Sequence, residues 1–188
     1  MLIASVWRSS SRSYFVLGLL LGGALMALVL VVLGSVFLRS WIPAGAALGV
    51  VMTVIVYAVL HDSILPTLPM PQNARQVPEL VVGSGPRLGA LQFGLEMGTG
   101  MRTFMTSMSP HMLGAALLVL LPWQQALVAG AAFGAGRAIV PLARAFGDND
   151  ASWSAQFARH ERTIRSSIAI TSATGWVVVI LGGWPWQL

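Results

Sequence analysis

Cysteine is absent from this 188-residue chain, and so is lysine. Without a thiol there is no disulfide, no thiolate metal site and no dithiol redox couple. Charge is almost as scarce, at 9% of residues against about 25% in ordinary water-soluble domains. A chain so poor in charge, 56% hydrophobic and with a mean hydropathy of +0.77, belongs in a lipid bilayer. Its 11 basic residues are all arginines and outnumber the 6 acidic ones. They sit singly at the ends of apolar runs, as topology signals do. A nucleic-acid surface would gather them on one face, so nucleic acid is not an expected partner. No Ser/His/Asp constellation can be assembled from motif spacing, and a non-enzymatic role is expected.

What the chain does have is apolar length. Arg8 and Arg12 precede a run over 14–37, far longer than the core of about 7–15 residues in a cleaved signal, so it reads as a retained span. A second span covers 42–60, with Pro43 suited to its first turn. Residues 61–87 form a loop with five of the ten prolines, too many for a regular helix. In that loop Pro71, Gln72, Arg75 and Pro78 are candidates for binding a partner or a lipid headgroup, or are simply solvated. Spans over 123–143 and 163–183 complete the chain, with Trp184 and Trp186 at an interface.

The stretch 88–121 does not fit one crossing. As a straight helix it would measure roughly 50 Å, against a hydrocarbon core of ~30 Å. Pro110, preceded by Ser107 and Ser109, marks a break. If the broken element crosses once, there are about five crossings. Arg8, Arg12, Arg75, Arg87, Arg144, Arg159, Arg162 and Arg165 then face the cytoplasm and Arg39 faces out. Six crossings would move 144–165 outside, which the positive-inside rule disfavours. The expected fold is therefore all-α: a single polytopic transmembrane bundle in a cell membrane, N-terminus cytoplasmic and C-terminus outside.

Four glycine pairs at i, i+4 spacing point to close helix packing: Gly18/Gly22, Gly45/Gly49, Gly94/Gly98 and Gly130/Gly134. Ser167, Thr171 and Thr174 share one face of the last span. Glu96, Thr99, Thr103 and Thr106 fall on one helical face, a polar stripe at membrane depth. Arg102 lies about 240° round that helix, so Arg137 is the better partner for Glu96. The stripe is either a polar path or a buried ion pair joining two helices. Met97, Met101, Met105, Met108 and Met112 follow at spacings of 4, 4, 3 and 4, with His111 beside the end. Thioethers suit Cu(I), and the same residues suit gap-filling between helices. His61 and His160 fall at span ends and read as interfacial.

Phe93-Gly94, Gly98-x-Gly100, Thr106 ahead of Pro110, and Leu113-Gly114-Ala115-Ala116-Leu117 resemble part of the CcdA/DsbD transmembrane domain of cytochrome c biogenesis. Phe133-Gly134-Ala135-Gly136 with Pro141-Leu142 is similar to that family's next helix. The resemblance covers residues 90–145 and implies a helix broken by proline beside an internal cavity. Passing reducing equivalents needs cysteine and does not carry over. Four roles stay open: a non-enzymatic subunit of a larger membrane assembly or homo-oligomer, a small transporter with a polar path at the broken helix, Cu(I) handling, and a membrane-embedded enzyme, for which no nucleophile–base pair can be named.

Overall fold

The computed structural model describes residues 9–72, 85–101, 105–145 and 150–182, and every regular element among them is helical. In chain order these are α1 (Ser9–Phe37), α2 (Ala44–Val59) with a π-helical turn (Leu60–Ile64), α3 (Pro86–Gly98), α4 (Ser109–Val119), α5 (Trp123–Ala145) and α6 (Asp150–Leu181). Among the described residues, four stretches are long and apolar enough to cross a membrane: Ser11–Phe37, Ala44–Ile64, Trp123–Ala143 and Ala155–Leu181. The chain is thus an all-α, multi-pass membrane protein. The third expected element, 88–121, is interrupted, with α3 ending at Gly98 and α4 starting at Ser109.

Two compact units divide the described residues. The first takes residues up to Val29, 72–105 and 123–153. Its core is Phe15, Leu19, Ala90 and Ala138, with the Phe15 and Phe93 rings stacked at 5.8 Å. Glycine lets its helices touch backbone to backbone. A Cβ on Gly18 or Gly22 of α1 would strike the carbonyl oxygens of Leu91 and Leu95 in α3. A Cβ on Gly94 or Gly98 would strike those of Phe15 and Leu19 in return. Gly130 and Gly134 of α5 meet α1 the same way, at Gly23 and Leu19. Three of the four glycine pairs are therefore helix contacts, as small-xxx-small spacing allows. Gly45 and Gly49 have nothing within 4 Å.

The second unit takes Leu30–Pro71, 106–122 and 154–188. Here α2 buries Ala47, Val51, Ile55 and Ala58, and α4 buries Met112, Ala116, Leu117 and Val119. Both sets follow the 3.6-residue period, and α2 and α4 pack together. The α1 end joins them at Gly34, where a Cβ would strike the Leu118 carbonyl.

Candidate functional site at the buried His61–Asp62 pair

Helix α2 does not stop where its uncharged run ends. Its last turn widens to i→i+5 spacing, with Leu65 N–H donating to the Leu60 carbonyl at 2.7 Å. Such π turns concentrate at functional sites, because the inserted residue re-aims its neighbours. This one carries His61 and Asp62 inward, leaving them 4% and 5% exposed. His61, expected at a span end, lies close to the end of the stretch Ala44–Ile64, and its ring is buried in protein because the helix runs past Leu60.

The Asp62 carboxylate has 0% side-chain exposure and receives three donors. His61 Nδ1 lies 2.7 Å from Oδ1, Ser107 Oγ donates to Oδ2 at 2.8 Å, and the Met108 N–H donates to Oδ2 at 2.9 Å. Arg165 Nη2 stands 3.8 Å from Oδ1, an ion pair without a hydrogen bond. The Ser166 hydroxyl donates to the Asp62 main-chain oxygen at 3.3 Å. A buried carboxylate is costly unless paired and hydrogen-bonded, and this one is both.

These contacts also complete the broken helix. The first N–H groups of a helix lack intrahelical acceptors, and lipid supplies none. At α4 the Met108 N–H goes to Asp62, the Ser109 N–H goes to Ser107 Oγ at 3.0 Å, and Pro110 has no N–H to satisfy. Ser109 Oγ adds a contact to Ser107 Oγ at 2.9 Å. At the far end, Arg39 Nε donates to the Leu118 carbonyl at 3.1 Å. Its Nη2 donates to Leu117 and Leu121 at 2.7 Å each. Burial pulls the Arg39 guanidinium below its ordinary value, yet arginine keeps its charge. An anion thus sits at the positive pole of α4 and a cation at the negative pole.

The proline loop is strapped onto the same unit by its carbonyls. Tyr57 Oη donates to Pro69 O at 2.7 Å, and His111 Nε2 donates to Pro71 O at 2.7 Å. Within the first unit, the Gln72 side-chain oxygen accepts from the Met105 N–H at 3.1 Å. Arg75 and Pro78 lie outside the described residues.

The residues expected to carry chemistry are distributed differently. Glu96 and Arg137 are both half-buried, with Arg137 5.6 Å from the Phe133 ring centroid. The single-face polar stripe is corrected: α3 ends at Gly98, and Gly100 takes a positive φ of 72° that a continuing helix cannot hold. The Thr99 hydroxyl turns back onto the Glu96 carbonyl at 2.7 Å, and Thr106 is exposed within the break. Arg102 and Thr103 lie outside the described residues. The same break divides the methionine face. Met97 belongs to α3, Met101 is 56% exposed, and Met108 and Met112 are buried at the start of α4. Five sulfurs on one helix face are not present. Among the described residues, no three His, Asp or Glu side chains group as metal ligands do.

Comparison with protein-family models, curated proteins and solved structures finds no match to this chain. The site is therefore read from its own geometry. Ser107 bonds the carboxylate and not the imidazole, so Ser107, His61 and Asp62 do not form a Ser–His–Asp relay. His61 Nδ1 and Asp62 Oδ1 are at proton-transfer distance. Asp62 went unread in the sequence, and Arg39 and Arg165 were read there only as topology signals. The available signal was a lone acid beside a histidine at the end of an uncharged span.

Proposed function

We propose that this chain is a non-enzymatic integral membrane component that supports transport, with His61 and Asp62 as its ionisable centre. The observation that carries this reading is the fully buried Asp62 carboxylate, inside a stretch able to span a membrane and at the head of the short helix α4. Ionisable groups at membrane depth are rare and mark ion and proton paths. Half-helix termini directed at a charged group are a device with which many transporters build sites. In this reading a proton passes between His61 Nδ1 and Asp62 Oδ1. Arg165, Ser107 and the Met108 N–H hold the carboxylate while the charge changes. The resemblance of residues 90–145 to CcdA/DsbD helices adds the proline-broken element, without the cysteine chemistry. Arginine placement favours a cell membrane, with the N-terminus in the cytoplasm and the C-terminus outside. The test is reconstitution of the full chain into liposomes under an imposed pH gradient, with a trapped pH-sensitive dye. Dye response faster than in empty liposomes supports the reading, and an equal response overturns it.

A second reading, a subunit of a larger membrane assembly or homo-oligomer, is favoured by uncovered surface. Gly45 and Gly49 of α2 face open space, and Ser167, Thr171 and Thr174 of α6 are exposed. In membranes such small and hydroxylic faces meet other helices. Extraction in mild detergent should then recover partner chains in fixed ratio, and a lone monodisperse monomer contradicts it.

A further inference from the structure

Helix α6 combines an uncovered apolar length with one basic end. Only 6% of its most apolar window is buried, and Ile168, Ile170, Val178 and Leu181 are 45%, 52%, 63% and 80% exposed. No charged residue follows Arg165. Before that point Arg159, Arg162 and Arg165 recur every third residue, within roughly 120° of the helix surface. Arg159 and Arg162 are exposed, while the Arg165 side chain is 19% exposed.

Arg165 has more donors than acceptors. Its Nη2 is 3.8 Å from Asp62 Oδ1 and its Nη1 is 3.8 Å from Glu161 Oε1, both beyond hydrogen-bond reach. Its buried Nε has no acceptor. Asp62 does not need those donors, because His61, Ser107 and Met108 already supply three at 2.7–2.9 Å. A planar guanidinium with unused N–H groups fits a two-oxygen anion, and its neighbour Arg162 adds a second cation.

We infer that the basic end of α6 binds the phosphate of an anionic phospholipid, held by Arg165 and Arg162 with Arg159 at the edge. The acyl chains then lie along the exposed apolar part of the same helix. A phospholipid can place its phosphate at this end and its acyl chains along the same helix, which a free phosphate cannot, so the lipid is the occupant inferred. The site shares Arg165 with the transport reading, but lipid retention is read without any flux measurement, so either can fail while the other holds.

The test uses the full chain in mild detergent, titrated with phosphatidylglycerol or phosphatidylcholine and read by native mass spectrometry. Phosphatidylglycerol should be retained about tenfold over phosphatidylcholine, with R162Q and R165Q each lowering the preference roughly fivefold. Inorganic phosphate should not compete. Equal retention of the two lipids overturns the inference, and so does a preference that survives both substitutions together. Competition by inorganic phosphate assigns the site to a free anion and overturns the lipid. If R165Q does not fold, the exposed Arg162 carries the test alone, and an unchanged preference in R162Q overturns the inference.

Discussion

Asp62 and Arg39 hold opposite ends of the same 11-residue helix. The carboxylate accepts the Met108 N–H at 2.9 Å, and the guanidinium donates to three carbonyls between Leu117 and Leu121. A helix this short is marginal in isolation. Both ends of α4 are held by charges from the neighbouring segments, each placed against the opposite pole of the helix dipole.

Asp62→Asn should therefore destabilise the protein by about 3 kcal/mol, since it removes the charge facing Arg165 and turns one acceptor into a donor. The check is thermal unfolding in detergent. Ser107→Ala, which removes one donor and the cap on the Ser109 N–H, should cost about 1–2 kcal/mol.

Arg39→Lys should not rescue Arg39→Gln. The three carbonyls are reached from Nε and Nη2 of one planar fork, whereas an ammonium is a single point charge. Each variant should lose about 2 kcal/mol, with hydrogen exchange accelerating first at Leu120 and Leu121. Wild-type exchange in the lysine variant would contradict this.

The glycines separate into two classes. Gly94→Ala and Gly134→Ala place a methyl against the backbone of α1, and each should cost about 2 kcal/mol or more. Gly45→Ala and Gly49→Ala enter open space and should leave the isolated chain at least as stable, since alanine is the better helix former. If Gly45→Ala instead removes a co-purifying chain without changing the melting temperature, that face is an assembly contact.

The methionines should not form one copper site. Because α3 ends before Met101 and α4 begins after Met108, Met101→Leu and Met112→Leu should leave Cu(I) retention unchanged. Metal analysis of the purified protein is the check, and one stoichiometric Cu(I) lost in both variants would contradict it.

The fold was legible because its determinants are local. Apolar length gives α1, α2, α5 and α6, and the serines before Pro110 mark the restart at α4. Glycine spacing pointed to close helix contacts, though not to which helices meet, because small residues at i, i+4 leave a groove that a second helix backbone fills. It could not say that Gly45/Gly49 stays open, since that depends on what lies opposite. The polar and methionine stripes assumed one helix through 96–112. Gly98-Thr99-Gly100 ends that helix earlier than Pro110 alone suggests. The site was hidden for a different reason. Asp62 looks like an ordinary interfacial acid until a π turn carries it inward, and its partners Ser107 and Arg165 come from distant parts of the sequence.

The most direct measurement is the rate of dye-reported proton movement in liposomes holding wild type, His61→Gln, Asp62→Asn or Asp62→Glu, each first shown to be helical and monodisperse. The account predicts wild-type flux above empty liposomes, a fall of about tenfold or more in H61Q and D62N, and partial recovery in D62E. Wild-type flux in folded H61Q and D62N would contradict it.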